Sequence, residues 1–396
     1  MTFLQPHHQS PKRTPRWLKV TFAAIAVTVA VMTIVSAYGG HLDPRGHSAV
    51  WSVATLAFPV VLAFALATTL LWLVLRQWRC AVVQVAAMLL SWPTVAVTTP
   101  MHVSAVWHND ASTDTTDGQF KVLTFNVMNF GPYDGTQTER NPSMDLILRE
   151  NADLVVLQEA ALSDTDFVNL PSNRMMRPQL EKAYPYHSNG YHDLVILSRY
   201  PYTVVEDTVL RNVVIERDQY GPLYHFFAKI FDVKMPHGRQ LRLITVHMQS
   251  IGLTPNDKQL YMSLTNFNDG TLTSRREMRA VKSSLIAKLG GAFRRRANEA
   301  HSLRTIIDAS PANVIVAGDF NDTPCSYTYR TVRGDDMADA WADCGLGPTY
   351  TFNANRFYFR IDHILYRGAL EAVGVKRPRE GDSDHYPLVA TFRWTQ

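Results

Sequence analysis

Three long runs without a charged residue dominate the first hundred positions, and they restrict what this chain can fold into more than anything else in it. Val20–Tyr38, Ala49–Leu75 and Cys80–Met101 hold no Asp, Glu, Lys or Arg. Each approaches or exceeds the roughly 20 residues that a helix needs to cross hydrocarbon. Residues 1–101 are therefore expected to form a membrane anchor with spans at about 20–38, 50–75 and 80–101, the third interrupted by Pro93. Lys12, Arg13, Arg16 and Lys19 precede the first run, as in a secretion signal, but two further runs favour a retained anchor.

Basic residues near the spans set the expected orientation. The amino terminus and the loop Arg76-Gln77-Trp78-Arg79 are basic, whereas Gly39–Ser48 has only Arg45 beside Asp43. This predicts a multi-pass protein of the inner (cytoplasmic) membrane, with residues 102–396 facing the periplasm or exterior. Trp17, Trp51, Trp72, Trp78 and Trp92 lie near the span ends, where an aromatic belt would form. Residues 102–118 are read as a linker, since 107–118 are polar and poor in apolar residues.

The remainder, 119–396, is nearly neutral: residues 118–396 carry 32 Lys/Arg and 31 Asp/Glu. That balance argues against a dedicated electrostatic nucleic-acid binder. Cys80, Cys325 and Cys344 have no zinc-site spacing, and a Cys325–Cys344 disulfide is weighed against two buried thiols. Strands and helices alternate. Strands are expected at Phe120–Val127, Leu154–Leu157, Leu194–Leu197, Leu223–Val233, Leu241–His247, Val314–Ala317, Ile361–Tyr366 and Leu388–Trp394. Helices are expected at Pro142–Glu150 and over 275–310. The latter has nine Lys/Arg against two Glu and reads as a solvated face, with Arg294, Arg295 and Arg296 as alternative phosphate or headgroup contacts.

The apolar run Val314–Ala317 stops at Gly318, and Asp319-Phe320-Asn321-Asp322-Thr323-Pro324 follows. Side chains two apart on extended backbone share a face, so Asp319 and Asn321 can address one site while Phe320 turns inward. An Asx-rich turn would also explain the segment. Its company favours chemistry. Asn126, Glu159 and His247 end or follow other expected strands, Asp362 begins one, and Asp384-His385 precedes the last. Strand ends on a rigid sheet are where α/β enzymes collect reactive groups.

The ordered set Thr-Phe-Asn-Val (124–127), Leu-Gln-Glu (157–159), Ile-Leu-Ser-Arg-Tyr-Pro (196–201), Thr-Val-His-Met (245–248), Gly-Asp-Phe-Asn-Asp-Thr-Pro (318–324), Arg-Ile-Asp-His-Ile (360–364) and Ser-Asp-His-Tyr-Pro (383–387) resembles the endonuclease/exonuclease/phosphatase (DNase I-like) superfamily, and in particular its membrane-anchored bacterial branch. The resemblance covers about 119–396 and implies a four-layer α/β/β/α sandwich. It implies metal-assisted attack of water on a phosphoester, with Mg²⁺, or Mn²⁺, as cofactor. Asn126, Glu159 and Asp384 would serve the metal. His247, Asp319, Asn321, Asp362 and His385 would be the catalytic set, of which Asn321, His247 and His385 would also contact substrate.

The expected partners are a phosphoester, whether nucleic acid, phospholipid or sphingolipid headgroup or soluble ester, and the bilayer itself; no obligate protein partner is evident. A silent binding module on the same scaffold is the alternative, and it would require a missing site group. The 249–310 stretch is longer than a minimal domain needs, and no aromatic wedge or basic strip for duplex binding stands out.

Overall fold

The computed structural model describes residues 15–102, 118–131, 140–160, 171–188, 194–205, 214–218, 221–224, 227–251, 275–354 and 358–395. The first apolar run forms α1 (Arg16–Tyr38), which continues as a 3-10 turn to His41 and is one helix long and apolar enough to cross a membrane. The other two runs are broken helices. The pair α2 (Ala49–Leu56) and α3 (Phe58–Val74) bends by 55°, and α4 (Trp78–Leu90) and α5 (Trp92–Thr98) by 73°. Pro59 and Pro93 sit in the first turn of α3 and α5, where proline is tolerated in a new helix but cannot continue an old one. Counting each bent pair as one span gives up to three. Buried polar side chains join the helices: Thr68 and Thr69 both donate to Gln84 Oε1 (3.1 and 2.9 Å). Trp72 departs from the expected belt, since it is buried against Phe22 inside the bundle.

The rest builds two six-stranded sheets. The strands are β1 (Gln119–Asn126), β2 (Leu154–Gln158), β3 (Tyr186–His187), β4 (Val195–Ser198), β5 (Tyr202–Val205), β6 (Val214–Asp218), β7 (Gly221–Tyr224), β8 (Ala228–Lys234), β9 (Gln240–His247), β10 (Val314–Asp319), β11 (Ala338–Asp339), β12 (Asp362–Arg367), β13 (Leu370–Lys376) and β14 (Leu388–Trp394). One sheet runs β13-β14-β1-β2-β4-β3 and the other β11-β12-β10-β9-β8-β5. Their facing sides interdigitate Phe120, Val122, Val156 and Ile196 with Phe231, Leu243, Ile315 and Ile364. Strands buried on both faces read as continuous apolar runs, which is why Val314–Ala317 carries no alternation.

Helices cover both outer faces. On one, α6 (Pro142–Glu150) and α7 (Pro171–Ala183) pack Leu146, Ile147, Met176 and Leu180 on Leu123, Phe125 and Leu157. Asn141 caps α6 by accepting from Met144 N (3.1 Å), Pro142 opens it, and left-handed Asn151 ends it. On the other, α8 (Arg275–Asp308) and α9 (Tyr327–Arg333) pack Leu303, Ile307 and Val332 on Val246, Val314 and Val316. The result is the expected α/β/β/α sandwich behind an N-terminal helical region.

Several details differ from expectation. Leu223–Val233 is not one strand: β7 pairs with β6 as a separate ribbon, and only β8 pairs with β9. Of the two alternatives weighed for Cys325 and Cys344, the structure has free thiols, the first buried and the second partly so. Within the basic helix Arg296 is fully buried against Asp322 (3.1 Å), so it is neither solvated nor open to a headgroup. The linker beyond His102 and residues 252–274 of the long insertion lie outside the described residues.

Candidate active site

The parallel pairs β1–β2 and β9–β10 end at the same rim, and the site is built there. Register aligns Asp319 with His247 on one side and with Asp362 on the other, so three strands of one sheet present these groups in a row. Gly318 makes the row possible. A Cβ on it would lie 2.0 Å from Val246 O, so only glycine allows β10 this close to β9. The other sheet brings Asn126 opposite Gln158, with Glu159 next in chain at φ 51°.

Asn126 joins the two rims. Its Nδ2 donates to Glu159 Oε1 (3.0 Å) and Asp319 Oδ2 (3.2 Å), while its Oδ1 accepts from Met128 N (3.1 Å). Asp319 is the hub. Its Oδ1 accepts from Asn321 N (2.8 Å), and its Oδ2 accepts from Asn321 Nδ2 (3.2 Å). The other Asn321 amide bond goes to Met248 O (2.9 Å). His385 Nε2 lies 3.7 Å, and His247 Nε2 3.8 Å, from Asp319 Oδ2. His247 Nε2 is also 3.7 Å from Glu159 Oε1. Asp362 Oδ2 holds His385 Nδ1 at 2.8 Å.

Burial and charge set the protonation of this group. Burial pushes the Asp319 carboxyl up, and nearby Asp362 adds to this, against the cationic pull of His385 and His247. For His385, burial opposes the charged ring, but Asp362 and Asp319 outweigh it and raise its pKa to about 10. Asp384 is also pushed up, first by burial and then by Glu159 and Asp319, with His385 opposing. Asp362 Oδ1 is buried and meets no donor among the described residues. Asp319, Asp362 and His385 each offer a ligand atom within 4.8 Å of the others. Crowded carboxylates with an unsatisfied buried oxygen suit a hard divalent cation.

All eight residues singled out from the sequence thus meet at one rim. Their supports were missed. Ser383 Oγ donates to Asn126 O (2.7 Å) and accepts from His385 N (3.1 Å), fastening the Asp384-His385 segment to β1. Thr351 Oγ1 accepts from Ile361 N and Asp362 N (3.0 Å each), and Phe352 packs edge-on against His385. Gln158 Nε2 donates to Thr245 Oγ1 (3.2 Å), tying the sheets together below the site. Of these, Ser383, Gln158 and Thr245 lie within the quoted motifs, whereas Thr351 and Phe352 do not. Beside the rim, Arg377 sits between the rings of Tyr350 and Tyr386 at 4.7 and 4.8 Å, an aromatic–cation cluster that the sequence did not announce.

Residues 123–385 match the Endonuclease/Exonuclease/phosphatase family. Residues 19–98 match a domain of unknown function (DUF8431). No curated protein matches the chain in sequence. Similar solved structures include a D. rerio TDP2 humanized by 14 mutations, 16% identical over 70% of this chain and 100% of that one, with a TM-score of 0.41. The human Nocturnin catalytic domain with bound sulfate is 17% identical over 71% of this chain and 96% of that one, TM-score 0.41. Sphingomyelinase C from Streptomyces griseocarneus is 18% identical over 69% and 99%, TM-score 0.41.

Proposed function

The chain belongs to the endonuclease/exonuclease/phosphatase family, and from that membership we propose that it is a membrane-anchored, Mg²⁺-dependent phosphodiesterase acting on nucleic acid or on a phospholipid or sphingolipid headgroup. The convergence of Asn126, Asn321, His247 and His385 on the buried carboxylate of Asp319 carries this reading. Glu159, Asn126 and Asp384 would hold Mg²⁺ or Mn²⁺, which would neutralise phosphate charge and acidify a bound water. The mutual crowding of Glu159, Asp319 and Asp384 supports that fit.

The chain's own groups divide the remaining work. Asp319, made more basic by burial, orients the attacking water and accepts its proton at Oδ2. Asn321 fixes that carboxylate, and its bond to Oδ2 is the one a phosphoryl oxygen can replace. His385 remains an imidazolium at neutral pH and offers its Nε2–H to the phosphate, while Asp362 fixes the ring through Nδ1. His247, partly exposed at the rim, faces the leaving-group side.

We read the helical region as a multi-pass anchor in the inner membrane with the catalytic domain outside. Arg16, Lys19, Arg76 and Arg79 lie at one end of the helices. The catalytic domain touches the other end, at Ala37, Thr94 and Val97. That separation agrees with the positive-inside rule. The catalytic test uses the full chain in lipid nanodiscs with bis(4-nitrophenyl) phosphate, plasmid DNA, RNA, sphingomyelin and phosphatidylinositol. Turnover of at least one should require Mg²⁺, cease with EDTA, and fall about 10²–10⁴-fold in Asp319→Ala. Glu159→Ala should need far more metal for the same rate. Full activity in both variants refutes the assignment.

A further inference from the structure

The helical region does not merely precede the catalytic domain; it is wedged against two of the loops that carry the site. The first loop runs from Asp319 to Ser326. Its far end, Cys325, is buried among Ala37, Phe58 and Leu62. A Cβ on Gly40 would lie 1.9 Å from Cys325 O, so the end of α1 rests directly on this loop. Any side chain there must push one of the two aside.

Arg330, one turn after that loop, connects three segments at once. Its Nε donates to Cys325 O (3.3 Å), and its Nη2 donates to Ala37 O (3.2 Å) and Thr94 Oγ1 (2.8 Å). Thr94 in turn donates to Ala37 O (3.1 Å). Carbonyls at the end of a helix have no partner within it, and Arg330 supplies one to α1. The second loop enters β12. Arg360, two residues before Asp362, is buried, grips both Asp339 oxygens (3.1 and 2.9 Å) through Nη1, and donates from Nη2 to Val97 O (3.0 Å) at the end of α5. Asp319 and Asn321 thus sit on a loop whose other end is seated on α1. Asp362 follows a residue anchored to α5.

We propose that the N-terminal helical region is a working part of the site, holding the Asp319–Ser326 loop and the approach to Asp362 in register through the positioning residues Arg330 and Arg360. This rests on the site assignment above. A guanidinium fork shared among three acceptors fixes geometry in a way that a single ammonium cannot. Displacements of about 1 Å at a reacting group are enough to cost on the order of a hundredfold in rate. A simple tether predicts something else, because loosening the contact would then leave the loops as they are.

The test uses the full chain in nanodiscs with Mg²⁺ and bis(4-nitrophenyl) phosphate. Two variants disturb the contact: Thr94→Val removes the hydroxyl that Arg330 meets, and Gly40→Ala intrudes on Cys325 O. Two others leave it intact: Thr94→Ser keeps the hydroxyl, and Gly46→Ala adds a Cβ with nothing within 4 Å. The first pair should lower kcat about tenfold or more with KM little changed, and the second pair should match the parent. Amide hydrogen exchange gives a readout independent of turnover. It should rise within 318–326 in the first pair alone, with the rest of the sandwich protected as before. Should the parent chain fail to hydrolyse the probe, the phosphodiesterase reading is what suffers, and exchange still decides this one. Unchanged exchange in 318–326 in a folded Thr94→Val, or loss of protection spread over the whole domain, overturns the proposal.

Discussion

His363 offers a sharp test of how the rim is supported, because it follows Asp362 in β12 and its pKa is pushed the opposite way from that of His385. It is fully buried, its Nε2 lies 2.9 Å from Asp322 O, and its ring packs on Phe320 and Tyr329 at 5.0 and 4.9 Å. Burial, then the positive charge of Arg360, depress its pKa from 6.5 to about 3, against the weaker opposing pull of Asp339 and the Asp322 carbonyl. The unfolded chain therefore takes up this proton below pH 6.5, while the folded protein refuses it until about pH 3. The stabilisation is complete above pH 6.5 and is lost as pH falls toward 3. The slope is about 1.4 kcal/mol per pH unit, and the ceiling about 5 kcal/mol over the whole window. By pH 4.5 the loss is about 2.7 kcal/mol, or a midpoint lowered by about 5–10 °C for a domain of this size. The perturbation is His363→Gln, whose amide can still donate to Asp322 O but does not titrate. Calorimetric midpoints of the full chain from pH 7 to 4.5 are compared for parent and variant. Carboxylates common to both cancel in the difference. The variant starts lower through lost ring contacts and falls less steeply with acid. Parallel curves would show that His363 is not held neutral, and that the support beneath Asp322 has been misread.

Two further outcomes follow from the same geometry. His385 behaves oppositely: its folded pKa of about 10 exceeds the usual 6.5, so its stabilisation is full below pH 6.5 and is lost as pH rises through 10. Asp362→Asn should remove most of that alkaline loss and slow turnover; an unchanged alkaline stability profile would count against the Asp362–His385 pairing. For orientation, a phosphatase reporter joined after Gln396 should be active, since this enzyme type works only outside the cytoplasm; activity instead from a cytoplasm-dependent reporter overturns the outward assignment.

The site was legible for a reason that the supports did not share. Asn126, Glu159, His247, Asp319 and Asp362 each stand where an apolar run begins or ends, and a polar residue there must point at the sheet rim. Thr351 and Gln158 act through long-range hydrogen bonds, which no local spacing encodes. Strand β13 was missed because Glu371 is exposed and the register shifts between Ala372 and Gly374, which spoils the alternation that marks a half-buried strand. The basic helix misled for a related reason. Counting its charges treats Arg296 like its neighbours, but its partner Asp322 is 26 residues away on the loop that follows β10. A buried pair of this kind costs about 3–5 kcal/mol when one member is removed, so Arg296 reads better as a strut of the loop that follows β10 than as a contact for lipid.

The junction between the N-terminal helical region and the sandwich was the least legible part. The polar composition of 107–118 speaks only of that segment, whereas the chain just before it is docked: Gly347 N donates to Pro100 O (2.6 Å), and His102 N to Gly345 O (3.3 Å). Gly40, Arg330 and Arg360 also bind the two regions together; Gly40 lies just past the first span expected from the sequence, and neither arginine reads as a ligand. A tethered enzyme explores a volume set by the length of its linker. A docked one is restricted to whatever reaches its rim at a fixed height and tilt. Lengthening the 103–117 segment should therefore change little, while disturbing Ala37, Thr94 or Val97 should change the chemistry. Selection on this chain would then act on helix ends as much as on the motifs that identify the enzyme.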